Sequence, residues 1–320
     1  MKVLCLVLCH VLAQATASTG VERRAIAGDV VAEFTGGDYL YPRFSPDGRT
    51  LAFVSVKVVK GVELDEVILY DFRNGRTRKL LDAATAKRYA TYSAFVSDLE
   101  WTSRARLRVS VNDGDVDTEH LTFDTVTRRV VGRSHTSGDD FEPDDSEPKP
   151  FPPPAFELPD GRVVYQNSAA AEGVWTIAPK TGARAPVLPR PEGTVDFSFR
   201  GGTFVGQSVL LFLETSQTTR AVVVDTDGAV RELGTVEAIP AYADVRVLYR
   251  TGQEVAVLVH GYRGGERGSN PFYIFDGSRL VESSDYAEVA DADIDARRRF
   301  VAFAVWTGDG TRRLVVRRLR

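Results

Sequence analysis

The chain has 320 residues, 43% of them hydrophobic, with 40 Lys and Arg against 44 Asp and Glu for a formal net charge of −4. That balance excludes generic nucleic-acid binding, which needs a basic face to neutralise phosphates. Its 2 cysteines, Cys5 and Cys9, stand near the start, so the rest of the chain can hold neither a disulfide nor a thiolate metal site.

Met1-Lys2 is followed by the apolar stretch Val3–Ala13, and Ala15-Thr16-Ala17 supplies small residues at cleavage spacing. Residues 1–17 read as a secretory signal, too short and wrongly flanked for a membrane span. The mature chain, 18–320, is then expected in the periplasm or outside the cell. Leu4 and Leu8 precede the two cysteines where a lipid-attachment box wants a small residue.

From Tyr41 onward one pattern recurs six times. Its clearest copy is Tyr41-Pro-Arg-Phe-Ser-Pro-Asp-Gly-Arg-Thr-Leu-Ala-Phe-Val-Ser55, with Val67-Ile-Leu-Tyr-Asp71 and the turn Arg73-Asn-Gly75 behind it. An aromatic or apolar anchor (Phe44, Trp101, Phe156, Phe204, Tyr249, Ile294) opens each copy, and apolar residues follow eight and nine positions later, as Ala52 and Phe53 follow Phe44. Successive anchors lie 57, 55, 48, 45 and 45 residues apart, against roughly 40–45 for a four-stranded propeller blade. A second apolar run then closes on a turn, with Gly supplying φ > 0 at Asn74-Gly75, Thr181-Gly182, Asp227-Gly228 and Asp276-Gly277. The Pro-Asp-Gly-Arg of 46–49 returns at 159–162 as the hairpin between first and second strands. The expected fold is all-β: a six-bladed β-propeller of four-stranded antiparallel blades filling 18–320 as one domain. The last copy ends too soon to hold its own fourth strand, so the segment 25–34 should complete it and close the ring.

Phe44-Ser-Pro-Asp-Gly-Arg-Thr-Leu-Ala-Phe53 with Ile68-Leu-Tyr-Asp71 resembles the repeat of TolB-type six-bladed propellers, which is also found in the propellers of the prolyl oligopeptidase family. The resemblance covers about residues 20–320, and it implies a periplasmic or secreted scaffold that binds protein or peptide. The chain departs from TolB in having no N-terminal α/β domain. It departs from the peptidases in having no G-x-S-x-G elbow: Gly132-Arg-Ser134-His-Thr136 and Gly206-Gln-Ser208-Val-Leu210 each lack the second glycine.

In an antiparallel blade the first-to-second and third-to-fourth hairpins share one face, and the second-to-third turns and blade links share the other. The linking face collects three polar segments. Asp113, Asp115 and Asp117 have the opening spacing of a calcium loop, but Thr118 stands where such a loop has Gly and Asp124 where it has Glu. A plain Asp-Gly hairpin accounts for the same residues. Asp139, Asp140, Glu142, Asp144 and Asp145 form an acidic link running into Pro148–Pro154; it reads as a solvated linker, or as a rim suited to a basic peptide or a cation. Arg263 and Arg267 lie in a loop on that face. His120, His135 and His260 fall in different copies with no repeated partner, and Trp101, Trp175 and Trp306 read as strand-packing residues. The functional expectation is a non-enzymatic exported module that recognises a protein or peptide partner at a propeller face, with no cofactor beyond a candidate calcium ion. The alternative is a propeller lyase or hydrolase with a polar, cation-assisted site at the channel mouth.

Overall fold

The computed structural model describes residues 21–59, 62–86, 88, 95–112, 117–137, 155–157, 163–166, 173–177, 184–189, 197–206, 208–215, 218–225, 229–236, 243–251, 254–261, 270–286, 288–297 and 299–320. Among these the chain is almost wholly β-structure, with one short helix, Ala83–Ala86. Asp82 caps that helix, its carboxylate accepting the Thr85 N–H at 2.7 Å.

The described strands form six sheets in chain order. Sheet I holds Asp38–Phe44, Thr50–Val59, Val62–Asp71 and Arg76–Leu81; sheet II holds Phe95–Ser103, Arg106–Asn112, Thr118–Asp124 and Arg129–Thr136. Sheet III is made of Ala155–Glu157, Val163–Gln166, Gly173–Ile177 and Arg184–Pro189, and sheet IV of Phe197–Val205, Ser208–Thr215, Thr218–Val224 and Val230–Val236. Ala243–Thr251, Glu254–Gly261, Phe272–Phe275 and Leu280–Ser283 form sheet V, and Val289–Ile294, Phe300–Trp306 and Arg312–Leu319 begin sheet VI. All six anchors lie on first strands, and the residues eight and nine positions on lie on second strands. The repeat therefore marks one sheet per copy. Of its glycine turns, Gly48, Gly75 and Gly277 have φ of 63°, 65° and 90°; 159–162, Thr181-Gly182 and the turn at 227–228 fall outside the described residues.

Strands built of β-branched and aromatic residues bury both faces, so successive sheets stack through shared cores. Val54 and Leu69 of sheet I meet Leu99 and Val109 of sheet II, and Phe212 of sheet IV meets Val257 and Tyr273 of sheet V. Phe272 of sheet V meets Phe303 of sheet VI. Sheet VI in turn packs against sheet I, where Phe53 and Tyr70 share a cluster with Leu314 and Val316 and the Phe72 and Phe300 rings stack at 4.9 Å.

Ala27–Phe34 pairs antiparallel with Arg312–Leu319 and supplies the fourth strand of sheet VI. Just before it, Glu22–Arg24 runs parallel to Leu280–Ser283 and makes sheet V five-stranded. The repeat gives no sign of this addition, because three exposed charged residues carry no periodicity. Arg23 holds it to the buried Glu282 at 2.7 Å, and the Val21 N–H reaches Thr235 O of sheet IV at 3.1 Å. Asp285 fastens the junction. Its side chain is 0% exposed and accepts the Ile26 N–H at 2.8 Å, the Ser283 hydroxyl at 2.9 Å and Arg317 Nη1 at 2.9 Å.

Two stability outcomes are expected. Asp285→Ala strips a guanidinium of its buried partner and leaves backbone donors unmet, which should cost about 3 kcal/mol, read as a lower urea midpoint at unchanged m-value. At Gly48, an added Cβ would collide with the Asp295 carboxylate in a left-handed conformation. Gly48→Ala should therefore lower stability by roughly 1–3 kcal/mol in the same measurement, whereas Gly36→Ala, with open space around it, should lose less.

Candidate functional site

The first strands of sheets I, II, V and VI are interrupted by β-bulges, between Leu40 and Arg43, Val96 and Asp98, Val247 and Tyr249, and Val289 and Asp291. A bulge bends and twists its strand and re-aims the side chains beside it. These four strands surround an open cavity of ≈ 850 Å³ bordered by Tyr41, Arg43, Asp98, Trp101, Arg246 and Asp293 among others.

Behind two of its lining residues Asp291 is buried between their guanidinium groups, Arg43 Nη1 at 3.1 Å from sheet I and Arg246 Nη2 from sheet V. Arg43, only 16% exposed, gives its other nitrogen to Asp98 of sheet II at 3.2 Å. One carboxylate thus ties sheets V, VI and I, and Arg43 extends the tie to II. Burial works against the Arg43 charge, but Asp291, Asp293 and Asp98 outweigh it and raise its pKa above the ordinary arginine value. Burial likewise disfavours ionised Asp291, and the two arginines reverse this, holding its carboxyl below the usual range.

Asp293, two residues on, differs. Its Oδ2 accepts the Phe44 N–H at 2.6 Å, and burial pushes its carboxyl up to about 6 against the pull of Arg43 and Arg246. It keeps some exposure toward the cavity while lying deep among protein atoms. Tyr41 sits in the sheet I bulge with φ of 49°, a left-handed conformation that a bulky residue adopts at a cost and that marks functional positions. Burial and the Asp291 charge raise its pKa, so the phenol stays a donor. Trp101 borders the cavity and its indole N–H donates to Arg43 O at 3.0 Å, a second use for a residue expected only to pack.

Asp113, Asp115, Asp139, Asp140, Glu142, Asp144, Asp145, Arg263 and Arg267 fall outside the described residues. Asp117 is half-exposed and lies 3.9 Å from His135 Nε2, while His135 Nδ1 meets Glu119 at 3.1 Å and Glu119 holds Arg133 at 2.7 Å. His120 bridges Ser110 Oγ and Thr136 Oγ1 within sheet II. Among the described residues no group of three or more His, Cys, Asp or Glu could hold a metal, and no helix is long and apolar enough to cross a membrane.

Sequence reasoning passed over Arg43, Asp98, Arg246, Asp291 and Asp293, although a signal for them exists. Counted from the anchors they stand one or three positions before Phe44, Trp101, Tyr249 or Ile294, as do Tyr41 and Glu100. That is period-two spacing along the strand that faces the cavity.

No protein family matches the chain. No curated protein matches it either. Solved structures similar to it include the β-propeller domain of the trilobed protease from Pyrococcus furiosus, 17% identical over 88% of this chain and 81% of that one, with a TM-score of 0.34. An oligogalacturonate lyase in complex with manganese is 14% identical over 89% and 90%, with a TM-score of 0.45. The Pyrococcus horikoshii acylaminoacyl peptidase is 15% identical over 88% of this chain and has a TM-score of 0.34; the chain spans 45% of its length.

A carboxyl raised to about 6 holds a proton in the folded state that the unfolded chain, at about 3.9, has already lost. Asp293 therefore subtracts stability progressively as pH rises from about 4 to 7, opposite in sign to Asp291. Asp293→Asn keeps an acceptor for the Phe44 N–H and should gain roughly 1–2 kcal/mol on the wild type across that window. Urea unfolding of both proteins at pH 4, 5, 6 and 7 reads the difference; a gap that does not widen with pH refutes the assignment.

Proposed function

We propose that the six sheets are the blades of a closed six-bladed propeller of the TolB type, with Ala27–Phe34 completing the last blade, and that the cavity is one mouth of its axial channel. The supports are the pairing of Ala27–Phe34 with Arg312–Leu319, the stacking of sheet VI on sheet I, and the convergence of four first strands on one space. Export rests on the signal-like residues 1–17. On this reading the chain is a non-enzymatic binding module whose cavity mouth recognises a protein or peptide partner, and calcium at Asp113, Asp115 and Asp117 has no part in it.

The observation that carries the reading is the cavity. It is large enough for several side chains, is shaped by strands fixed through buried ion pairs, and offers Trp101 and Tyr41 beside polar groups, the mixture recognition sites use. A second reading, a lyase or hydrolase, draws on Asp293: a carboxyl titrating near 6 at a cavity wall is suited to proton transfer.

Selection of a displayed random-peptide library on the full chain separates the two. A binding module should enrich related sequences, and Trp101→Ala, which removes an aromatic wall, should weaken the enriched peptides at least tenfold. Failure to enrich any sequence, together with turnover of small substrates that Asp293→Asn abolishes, would replace the binding reading with the enzymatic one.

A further inference from the structure

Pairing the charges around the cavity leaves one over. Arg43 directs Nη1 to Pro42 O and Asp291 and Nη2 to Asp98. Arg246 directs Nη2 to Asp291 and Ala292 O, and Glu100 is paired with Arg108. Both guanidinium groups are thus tied to carboxylates and carbonyls of the protein itself. Asp293 borders the cavity, accepts a backbone N–H from Phe44 and, among the described residues, makes no ion pair. An anionic ligand would find guanidinium groups whose charge Asp291 and Asp98 already offset, and the carboxylates of Asp98, Glu100 and Asp293 around it. A cation would find a carboxylate short of one.

We propose that the partner inserts a basic side chain into this cavity, its alkyl stem along Trp101 and Leu248 and its charge on Asp293, so that the ligand supplies the missing cation. The inference rests on the peptide-binding reading above and adds the chemistry of the residue recognised. Aromatic and aliphatic walls suit the stem of Lys or Arg, whose apolar methylenes gain from burial while the head seeks an acceptor. Tyr41 and Asp98 line the same cavity and can take the remaining donors of an ammonium group.

A pH dependence follows. The charged groups acting on Asp293 are Arg43 from sheet I and Arg246 from sheet V; Asp291 stands two residues before it on its own strand, and Asp98 of sheet II is joined to it through Arg43. Binding a cation favours the ionised carboxylate, so a proton leaves as the ligand enters and affinity should rise between pH 5 and pH 7.

Calorimetric titration of the full chain with three peptides, acetyl-Gly-Gly-X-Gly-Gly-amide with X as Lys, norleucine or Glu, tests this. At pH 7 the Lys peptide should bind about tenfold more tightly than the norleucine peptide and the Glu peptide least. The Lys preference should shrink at pH 5 and vanish in Asp293→Asn, which retains the Phe44 contact. Equal binding of Lys and norleucine peptides, or a Lys preference unchanged in Asp293→Asn, overturns the inference. If Trp101→Ala still weakens all three peptides in that case, the peptide-binding reading survives. Binding of none of the three overturns both.

Discussion

The cavity depends on one carboxylate. Asp291 is buried between Arg43 and Arg246, which line the cavity and come from different sheets, and the sheets around them are apolar on both faces. The first strands, which border the cavity, can carry charge without placing it between stacked sheets. Asp291, the most deeply placed of these charges, must be neutralised, because an unpaired charge at such depth costs several kcal/mol. Mutual neutralisation fixes the spacing of the first strands. Each guanidinium also meets a backbone carbonyl, Pro42 O or Ala292 O, so the arrangement resists sliding as well as opening. The cavity is therefore a consequence of how the sheets are held apart, and its walls are as rigid as the ion pairs.

The same device recurs between sheets elsewhere. Stacked sheets cannot share ladder hydrogen bonds, since those run within a sheet, so contact between them must come from side chains. Here an aspartate repeatedly reaches across to a backbone N–H: Asp38 of sheet I to Arg312 N of sheet VI at 2.8 Å, Asp65 of sheet I to Val96 N of sheet II at 2.6 Å, and Asp293 of sheet VI to Phe44 N of sheet I. Asp285, which follows sheet V, does the same for Ile26 at the entry to sheet VI. Arg312 and Arg317 add guanidinium contacts to Asp38 and Asp285. The abundance of Asp and Arg in a chain of low net charge has this structural use.

Sheets were legible in the sequence because a strand pair leaves two signals, apolar alternation and a turn glycine, at fixed separation from the anchor. The six anchors and their partners eight and nine positions on fall where the copies place them, down to the faint third copy, where Phe156 and Val164 are cross-strand partners. The fourth strand of sheet VI was legible because the apolar segment 25–34 stands ahead of the first copy and belongs to none of the six. The parallel strand Glu22–Arg24 was not, for it is defined by partners more than 250 residues away and has no pattern of its own. The cavity charges occupy an intermediate position. Arg43, Asp98, Arg246 and Asp291 each look like a solvated residue in an apolar strand when read singly, and become a set only when the copies are aligned on their anchors. Loops drew attention because they are rich in charge, yet the charges that the structure brings together stand in strands.

Asp65 and Asp293 form a natural comparison. Each takes one backbone N–H at 2.6 Å, each is pushed up to about 6 chiefly by burial, and among the described residues neither is ion-paired. At Asp293 backbone hydrogen bonding and the pull of Arg43 and Arg246 without an ion pair do not offset desolvation, whereas direct contact with the same two arginines does at Asp291. Both aspartates therefore weaken the fold at neutral pH, and packing alone would have favoured Asn at each position. What separates them is access. Asp65 is buried where sheet I meets sheet II, and its carboxylate meets protein only. Asp293 stands at the wall of a space large enough to admit a ligand, two residues from a carboxylate that the protein has fully neutralised. A chain that can supply two guanidinium groups to Asp291 has the means to satisfy its neighbour, and leaving Asp293 without one concentrates the unmet charge at the point a partner can reach.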